Sequence, residues 1–341
     1  MKSLTIGICS YQRRESLLRL IGALDDDARQ RPQTWRGVDV CVVLDGSDDG
    51  SREALDDFSA SFPLHVVWQP NRGLATARNT LIEAAAGEVI WFLDDDLVPA
   101  AGTLDRHRAI HESEPDCFLL GPCLVPPEMD VPDGVRQWWI EHYGSLEKPD
   151  GAATFDQFFI ANASAPAAAI RAVGGFDEKF VGYGWEDFEF GARALAKGIR
   201  EKYDPRAVAW HYTTTDDTVA FGRQRMIGHN AAQMFKLHPE LAASYFPADY
   251  PRKLHRLLDK FRVYSPRPLW AIAVVAHAIS DRGGRLSRLG DFQGIAWDAA
   301  YLAGIAATDR GVLIEALGRP ESVRTGRERS QPAIGTKEPG S

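Results

Sequence analysis

The sequence has few cysteines, no long apolar segment and no excess of positive charge. Its four cysteines include no C-x-x-C pair, which argues against a zinc site or a disulfide framework and favours a reducing compartment. The formal net charge of −8 argues against a general attraction to nucleic acid. The composition predicts an ordinary globular protein, since 45% of the residues are hydrophobic and 25% are charged.

Segments typical of membrane insertion or export are also missing. No stretch reaches the roughly 20 apolar residues that span a bilayer, and the longest candidate, 269–279, is much shorter. The apolar residues near the N-terminus are interrupted by Arg13, Arg14 and Glu15, which is not typical of a secretory signal. We therefore expect a cytoplasmic protein, with peripheral contact at the inner face of the membrane as the alternative left open.

The first hundred residues alternate between strand and helix patterns. Short apolar and β-branched runs predict strands at 4–9, 38–44, 64–68 and 88–93. The spacing of apolar residues predicts helices at 15–24, 52–58 and 74–86. This order predicts an α/β fold with a mainly parallel sheet, in which ligands bind beyond the carboxyl ends of the strands.

The pattern changes after this alternating part. Residues 121–153 contain several prolines and glycines, and we predict a long irregular segment that carries Trp138, Trp139 and Tyr143. A loop of this length inside a compact domain is usually functional or disordered. Residues 219–316 have a mostly helical pattern, which predicts a separate helical region.

Three consecutive carboxylates, Asp94, Asp95 and Asp96, directly follow the fourth predicted strand. Asp94 and Asp96 form an Asp-x-Asp pair, and hard cations such as Mg²⁺ or Mn²⁺ bind carboxylates together with substrate phosphate oxygens. His211, at the end of another predicted strand, is a candidate third ligand. The alternatives are a solvated acidic turn for the aspartates and a structural role for the histidine.

Other motifs contain groups suited to catalysis and to nucleotide binding. Glu186 and Asp187 begin a predicted helix, either as a general base or because acidic residues stabilise a first helical turn. Arg78 lies on the helix that starts after Gly73, where it is a candidate phosphate ligand or part of a capped surface helix. Asp45 follows the second strand and either accepts hydrogen bonds from a base or ribose or forms an Asx-type turn.

The order of these motifs resembles that of inverting family 2 glycosyltransferases of bacterial type, over residues 3–215. The family's opening strand and helix resemble TIGICSYQRRESLLRLIGAL. Its second-strand motif resembles CVVLDGSDDGS, in which Leu44 replaces the first Asp. The segment ending in the family's Asp-x-Asp motif resembles PNRGLATARNTLIEAAAGEVIWFLDDDLVP. The acceptor side and the catalytic Glu-Asp motif resemble FIANASAPAAAIRAVGGFDEKFVGYGWEDFEFGARALAKG.

The resemblance implies a fold and a domain organisation. The implied GT-A fold is a Rossmann-like, mainly parallel sheet flanked by helices, with a mostly helical C-terminal extension. The implied domains are a catalytic domain at 1–218, with a donor half at 1–98 and an acceptor half at 99–218, and a helical extension at 219–317. Residues 318–341 are polar and rich in Gly, Pro and Ser, and we predict a disordered tail.

The resemblance also implies a donor and a metal. A nucleotide-diphosphate sugar is the implied donor, and Mn²⁺ or Mg²⁺ is the implied cofactor. The implied donor-binding residues are Ser10, Tyr11, Arg13, Asp45, Asn71, Arg78, Asp94 and Asp95. The implied metal ligands are Asp96, Asp94 and His211.

The implied reaction is transfer of the sugar to an acceptor hydroxyl with inversion. Asp187 takes the hydroxyl proton in this scheme, with Glu186 as the other candidate. The implied acceptor-binding residues are Asn162, Trp185, Trp138 and Trp139. Aromatic faces suit sugar rings, although a hydrophobic plug under the long loop is an equal interpretation of Trp138, Trp139 and Tyr143. The acceptor is expected to be a carbohydrate, a lipid-linked compound or a small molecule.

Three alternatives accompany these expectations. The basic, amphipathic segment 252–267 is suited either to an anionic membrane or to packing on the catalytic domain. A sugar nucleotidyltransferase is disfavoured, because that class carries a Gly-rich loop with Arg and a catalytic Lys where this chain has CSYQRRESL. A non-catalytic nucleotide-sugar-binding protein on the same fold is also disfavoured, because the acidic motifs are intact.

Overall fold

The computed structural model describes residues 2–114, 116–131, 133–146, 154–212, 217–241, 265–282 and 292–309. The chain divides into two compact units, Met1–Thr215 and Asp216–Ser341. The predicted tail at 318–341 and most of the basic segment lie outside the described residues. The finer division into donor and acceptor halves stays a prediction.

The first unit contains two sheets. Their strands are β1 Leu4–Ser10, β2 Val38–Asp45, β3 Leu64–Gln69, β4 Val89–Leu93, β5 Leu97–Pro99, β6 Cys117–Leu120, β7 Cys123–Leu124, β8 Asn162–Pro166, β9 Arg200–Tyr203 and β10 Ala209–His211. The large sheet has the order β3-β2-β1-β4-β8-β6-β9, and the small sheet has the order β5-β10-β7. In the large sheet β8 is antiparallel to both neighbours and the other pairs are parallel, which confirms the predicted mainly parallel sheet.

Helices connect the strands and form the second unit. In the first unit they are α1 Arg14–Gln30, α2 Ser51–Asp56, α3 Leu74–Ala84, α4 Thr103–Ser113, α5 Asp133–Gly144, α6 Ala167–Val173 and α7 Glu186–Ala196. In the second unit they are α8 Asp217–Leu237, α9 Pro266–Arg282 and α10 Phe292–Thr308. The described part of the second unit is therefore helical, as its sequence pattern predicts.

The prediction of an irregular segment across 121–153 is wrong in its middle, where α5 forms. This helix carries both Trp138 and Trp139. Val135, Trp139 and Tyr143 recur every four residues, which is a helical spacing. The surrounding prolines and glycines made the segment resemble a loop, because such residues usually interrupt helices.

The large sheet is buried on both faces. Alternate side chains of each strand point to opposite faces, so Val42 packs in a cluster with helix α1 while Val43 packs in another with helix α3. Gly7 of β1 permits the close approach of α3, since a Cβ there would lie 2.4 Å from Leu81 Cδ2. Burial on both faces explains why β2 is nearly continuous in apolar residues.

The second unit contains an unusually close contact between two helices. A Cβ on Gly228 of α8 would lie 1.9 Å from the carbonyl oxygen of Tyr301 on α10. A Cβ on Gly304 would lie 2.0 Å from the carbonyl oxygen of Arg225. The two backbones therefore touch at a point where only glycine fits.

Among the residues that the structure describes, no helix has the length and apolar character needed to cross a membrane.

Candidate active site

The site forms at one edge of the large sheet. Strands β1, β2 and β4 are parallel neighbours, so Ser10, Asp45 and the turn at 94–96 come at the same edge. Strand β10 adds His211, which lies 3.4 Å from Asp96 (Nε2 to Oδ2). The first turn of α7 adds Glu186 to the same edge through a salt bridge to α3. The tertiary fold thus joins motifs that are far apart in the chain.

Two aspartates of the turn, Asp95 and Asp96, are paired rather than solvated. Arg13 Nη1 donates to Asp95 Oδ1 at 2.9 Å and to Asp96 Oδ2 at 2.7 Å. The hydroxyl of Ser10 donates to the other Asp95 oxygen at 2.6 Å. The alternative of a solvated acidic turn therefore does not describe Asp95, of which only 5% is exposed.

The two neighbouring carboxyl groups differ in acidity. Burial raises the pKa of Asp95 to about 6, against the opposing effects of Arg13 and the Ser10 hydroxyl. Burial also acts to raise the pKa of Asp96, but His211 and Arg13 outweigh it and lower the value to about 2. Asp96 is therefore a carboxylate at any physiological pH, which suits a ligand for a cation.

The predicted metal ligands fit a divalent cation in part. Asp96 and His211 face each other and offer the oxygen and nitrogen donors that Mn²⁺ accepts. The Nδ1 atom of His211 is buried without a hydrogen-bond partner among the described residues. Asp94 lies instead near Arg78, 3.6 Å from its Nη2. No cluster of three or more metal-binding side chains exists in the described part of the chain, so substrate oxygens would have to complete the coordination.

Arg78 connects the acidic turn to the start of α7. Its Nη1 donates to Glu186 Oε1 at 3.0 Å, and only 4% of the residue is exposed. The guanidinium also lies 5.3 Å from the centre of the Phe176 ring. Opposing carboxylates keep the pKa of Arg78 raised despite its burial. The structure thus places Arg78, a predicted donor-binding residue, between two protein carboxylates, Asp94 and Glu186, where it positions both.

Asp187 lies next to this ion pair and is an unusually weak acid. Burial and the negative charge of Glu186 raise the pKa of Asp187 well above its ordinary range, although Arg78 opposes the shift. A carboxylate with a raised pKa is a better proton acceptor. Glu186, in contrast, is engaged by Arg78. The two adjacent acids therefore differ in what they can do chemically.

The residue that precedes this pair has a strained backbone. Trp185 has a φ of 77°, in the left-handed region that non-glycine residues rarely adopt. Its side chain is buried and meets Phe188 edge-on, with 5.5 Å between ring centres. Trp185 therefore fixes the start of α7, and the structure does not leave its ring open for an acceptor.

Asp45 anchors the loop that leads into α3. Its carboxylate accepts hydrogen bonds from the Gln69 side chain at 2.7 Å and from the backbone amides of Arg72 and Gly73 at 2.9 and 2.8 Å. Leu44, which stands where the family motif has Asp, is fully buried in the core. Both carboxylate oxygens of Asp45 thus already accept hydrogen bonds from the protein, which limits how many more they can accept from a nucleotide.

Two predicted donor contacts remain open at the rim. Tyr11 is about half exposed, at 51%. Asn71 is exposed. Its backbone nitrogen lies close to the loop after β2, since a Cβ added to Gly46 would be 2.6 Å from that atom. Both positions are free to meet a ligand at the sheet edge, and their donor-binding role stays a prediction.

Asn162 lies in the core rather than on the acceptor side. The Trp91 indole donates to its Oδ1 at 3.0 Å, and its Nδ2 donates to the Ala207 carbonyl at 2.8 Å. Two histidines of α4 extend this network, with His107 3.1 Å from Asn162 Oδ1 and His111 2.8 Å from Ser164 Oγ. The sequence offered no signal for this buried cluster, because the partners lie on different elements.

The predicted aromatic residues divide between two roles. Tyr143 is buried and packs with Trp139 and Phe159, which agrees with the plug interpretation. Trp139 is half-buried and meets His211 edge-on, with 5.1 Å between ring centres. This contact holds the imidazole in place beside Asp96. Trp138 lies on the same helix.

The buried histidines predict a loss of stability in mild acid. Burial lowers the pKa of His107 to about 3 and that of His111 to about 4. Below the unfolded pKa of about 6.5 the unfolded chain binds protons that the folded chain does not. The stability that each of these histidines contributes should therefore fall as the pH drops from about 6.5 to about 4, by about 1.4 kcal/mol per pH unit, whereas Asp95 and Asp187, whose pKa values are raised, act in the opposite direction.

Denaturant unfolding between pH 7 and 4.5 measures this slope. His111→Gln should reduce the slope by about one histidine's share, while His65→Gln, at an exposed position, should leave it unchanged. An unaltered slope in His111→Gln would mean that this histidine is not the group that titrates.

The sequence is similar to those of known glycosyltransferases. Residues 5–159 match the sequence model described as "Glycosyl transferase family 2", and residues 143–217 match "N-terminal domain of galactosyltransferase". The "Pre-mycofactocin glycosyltransferase" of Mycobacterium tuberculosis is 31% identical over 222 residues, 63% of this chain and 46% of the relative. The "Validoxylamine A glucosyltransferase" of Streptomyces hygroscopicus is 30% identical over 226 residues, 58% of this chain and 52% of the relative. The chain spans about half the length of the curated relatives that it matches.

Solved structures share the fold. The mannosyltransferase PcManGT of Pyrobaculum calidifontis, solved with GDP-Man and Mn²⁺, has a TM-score of 0.57 at 18% identity, over 90% of this chain and 86% of that one. TarS 1–349 of S. aureus, solved with UDP, has a TM-score of 0.51 at 18% identity, over 96% of this chain and 92% of that one. At this identity the likeness shows the fold alone, and that fold is of the GT-A type.

Proposed function

We propose that this chain is an inverting, metal-dependent glycosyltransferase of family 2, the family whose sequence model residues 5–159 match. It moves a sugar from a nucleotide-diphosphate donor to a hydroxyl of a carbohydrate, lipid-linked or small-molecule acceptor. The observation that carries the proposal is the meeting of three groups at one sheet edge. These are the Asp96–His211 pair, the Arg78–Glu186 ion pair and the adjacent Asp187.

The donor side is formed by the ends of β1, β4 and β10. Asp96 and His211 would hold the Mn²⁺ or Mg²⁺ ion, with the donor diphosphate supplying further oxygens. When bound, such an ion neutralises charge on the leaving diphosphate. Asp94, tied to Arg78, and the exposed Tyr11 are the residues that would contact the ribose and base.

The acceptor side is formed by the start of α7. The Asp187 carboxylate takes the proton of the acceptor hydroxyl while the hydroxyl oxygen forms a bond to the anomeric carbon. The bond from that carbon to the diphosphate oxygen breaks, and its electron pair leaves with the nucleoside diphosphate. Attack from the face opposite the leaving group inverts the configuration in one step. Arg78 fixes Glu186 and so leaves Asp187 as the base.

Nucleotide binding tests the donor site directly. A ligand that binds only the folded state raises the melting temperature, and at 100 times its Kd it adds about 2.7 kcal/mol of stability. We expect one of UDP, GDP, dTDP and CDP to stabilise the protein with Mn²⁺ and to do so much less with EDTA. Asp96→Ala should lose the effect of Mn²⁺. If none of the four nucleotides stabilises the protein, the donor site and the proposed function are both wrong.

A further inference from the structure

Arg13 binds to the acidic turn through the same oxygen that faces His211. Its Nη1 lies 2.7 Å from Asp96 Oδ2, and His211 Nε2 lies 3.4 Å from that atom. The same Nη1 also donates to Asp95 at 2.9 Å. One guanidinium therefore bridges two carboxylates at the point where the proposed metal ligand is located.

This ion pair and a metal ion compete for one position. Mg²⁺ binds carboxylate oxygens at about 2.1 Å, so an ion on Asp96 Oδ2 would lie within about 5 Å of Arg13 Nη1, which is itself 2.7 Å from that oxygen. Two positive charges at that separation repel strongly in a partly buried site. Arg13 therefore weakens metal binding at Asp96 as long as its guanidinium stays in place.

The surroundings of Arg13 allow such a movement. Its side chain is 39% exposed, while those of Asp95 and Asp96 are 6% and 11% exposed. Arg13 immediately precedes α1 and follows Gln12, whose φ of 54° is unusual for a residue other than glycine. The long side chain can thus swing outward while the carboxylates stay in place.

A diphosphate offers Arg13 a new partner. The guanidinium fork matches phosphate oxygens as well as carboxylates, and a donor diphosphate held near Asp96 would bring its charge within reach. We propose that Arg13 is an exchangeable counter-cation, which pairs with Asp95 and Asp96 and transfers to the diphosphate when metal and nucleotide bind. This inference rests on the proposed function and adds an order to its binding steps.

The exchange makes metal and nucleotide binding cooperative. A metal ion alone must displace Arg13 without providing a substitute anion, so it should bind weakly. With the diphosphate present, Arg13 regains a partner and the metal binds more tightly. By linkage the nucleotide's affinity rises by the same factor when metal is present.

Calorimetric titration with Mn²⁺, with and without saturating UDP or GDP, tests the exchange. In Arg13→Gln we expect Mn²⁺ alone to bind at least tenfold more tightly than in the wild type. The nucleotide's enhancement of Mn²⁺ affinity should fall by a similar factor. Arg14→Gln removes the same charge one residue away and should change both quantities less than threefold. Arg13→Lys keeps the charge and should resemble the wild type in Mn²⁺ affinity without nucleotide.

Each outcome decides between clear alternatives. Circular dichroism and melting temperature establish that the variants fold. If Arg13→Gln does not fold, Arg13→Met removes the same charge and takes its place. Mn²⁺ binding that is unchanged, weaker or undetectable in the folded charge-removing variant overturns the exchange. A nucleotide that binds the wild type without changing its Mn²⁺ affinity also overturns the exchange. If no nucleotide binds the wild type at all, the proposed function fails instead, and the titration with Mn²⁺ alone still shows whether Arg13 competes with the ion.

Discussion

Asp187→Asn is expected to lower kcat by about 10³-fold while nucleotide binding persists, because a positioned general base contributes about 10² to 10⁴ in rate. The amide has nearly the same shape as the carboxyl group, but it cannot take the proton of the acceptor hydroxyl. The raised pKa of Asp187 makes it the stronger proton acceptor at this position, since burial and Glu186 both disfavour its charged form. A sugar-transfer assay gives kcat, and the nucleotide melting-temperature shift shows that the donor site is intact.

The pH profile separates this role from a structural one. Because the base must be deprotonated, kcat/KM should rise with pH through the neutral and mildly alkaline range. Glu186→Gln removes the negative charge that raises the pKa of Asp187, so the rise should move to lower pH. Glu83→Gln, at an exposed position on α3, should leave the profile in place. Substantial activity in Asp187→Asn would contradict the assignment of the base.

Arg78→Met is expected to lower the free energy of unfolding by about 3 to 5 kcal/mol, because breaking a buried ion pair leaves a buried charge uncompensated. Glu186 would lose its cation, and its side chain is only 7% exposed. The effect through Asp94 is smaller, since that side chain is 41% exposed and partly screened by water. Urea denaturation measures the loss, and the same variant should shift the activity profile to higher pH because Arg78 opposes the raised pKa of Asp187.

Two controls accompany this variant. Arg72→Met breaks an exposed pair with Glu178, in which the side chains are 59% and 42% exposed. Exposed pairs of this kind contribute about 0 to 1 kcal/mol, so this control should be close to the wild type. Arg78→Lys should recover only part of the stability, because a single ammonium cannot reach both carboxylates with the guanidinium's geometry. If Arg78→Met were as stable as Arg72→Met, the link that Arg78 makes between the acidic turn and the start of α7 would not stabilise the fold.

The elements of the donor side follow from local pattern. Strands β1 to β4 and helices α1 to α3 were predicted within a few residues of their bounds, apart from the longer C-terminal end of α1. Apolar runs and helical spacing are properties of neighbouring residues, so they can be recognised without knowing the tertiary structure. Helix α5 was missed because its flanking prolines and glycines obscured the same spacing.

The partners of the polar residues did not follow from the pattern. Arg78 and Glu186 are separated by 108 residues and Arg13 and Asp96 by 83, and no local signal links either pair. Asn162 was predicted to contact the acceptor, yet it is 1% exposed within a network of core hydrogen bonds. A polar residue has the same appearance in a sequence whether it is solvated, paired in the core or open to a ligand.

The sequence by itself determined the alternation of strands and helices over the first hundred residues, the mainly parallel sheet and the set of acidic motifs at its edge. Those features depend on periodicity and on the chemistry of adjacent residues. Only the tertiary structure decided which carboxylate faces which cation, because that depends on how strands and helices far apart in the chain are packed. Arg13 on Asp96, Arg78 on Glu186 and the burial of Asn162 all follow from this packing.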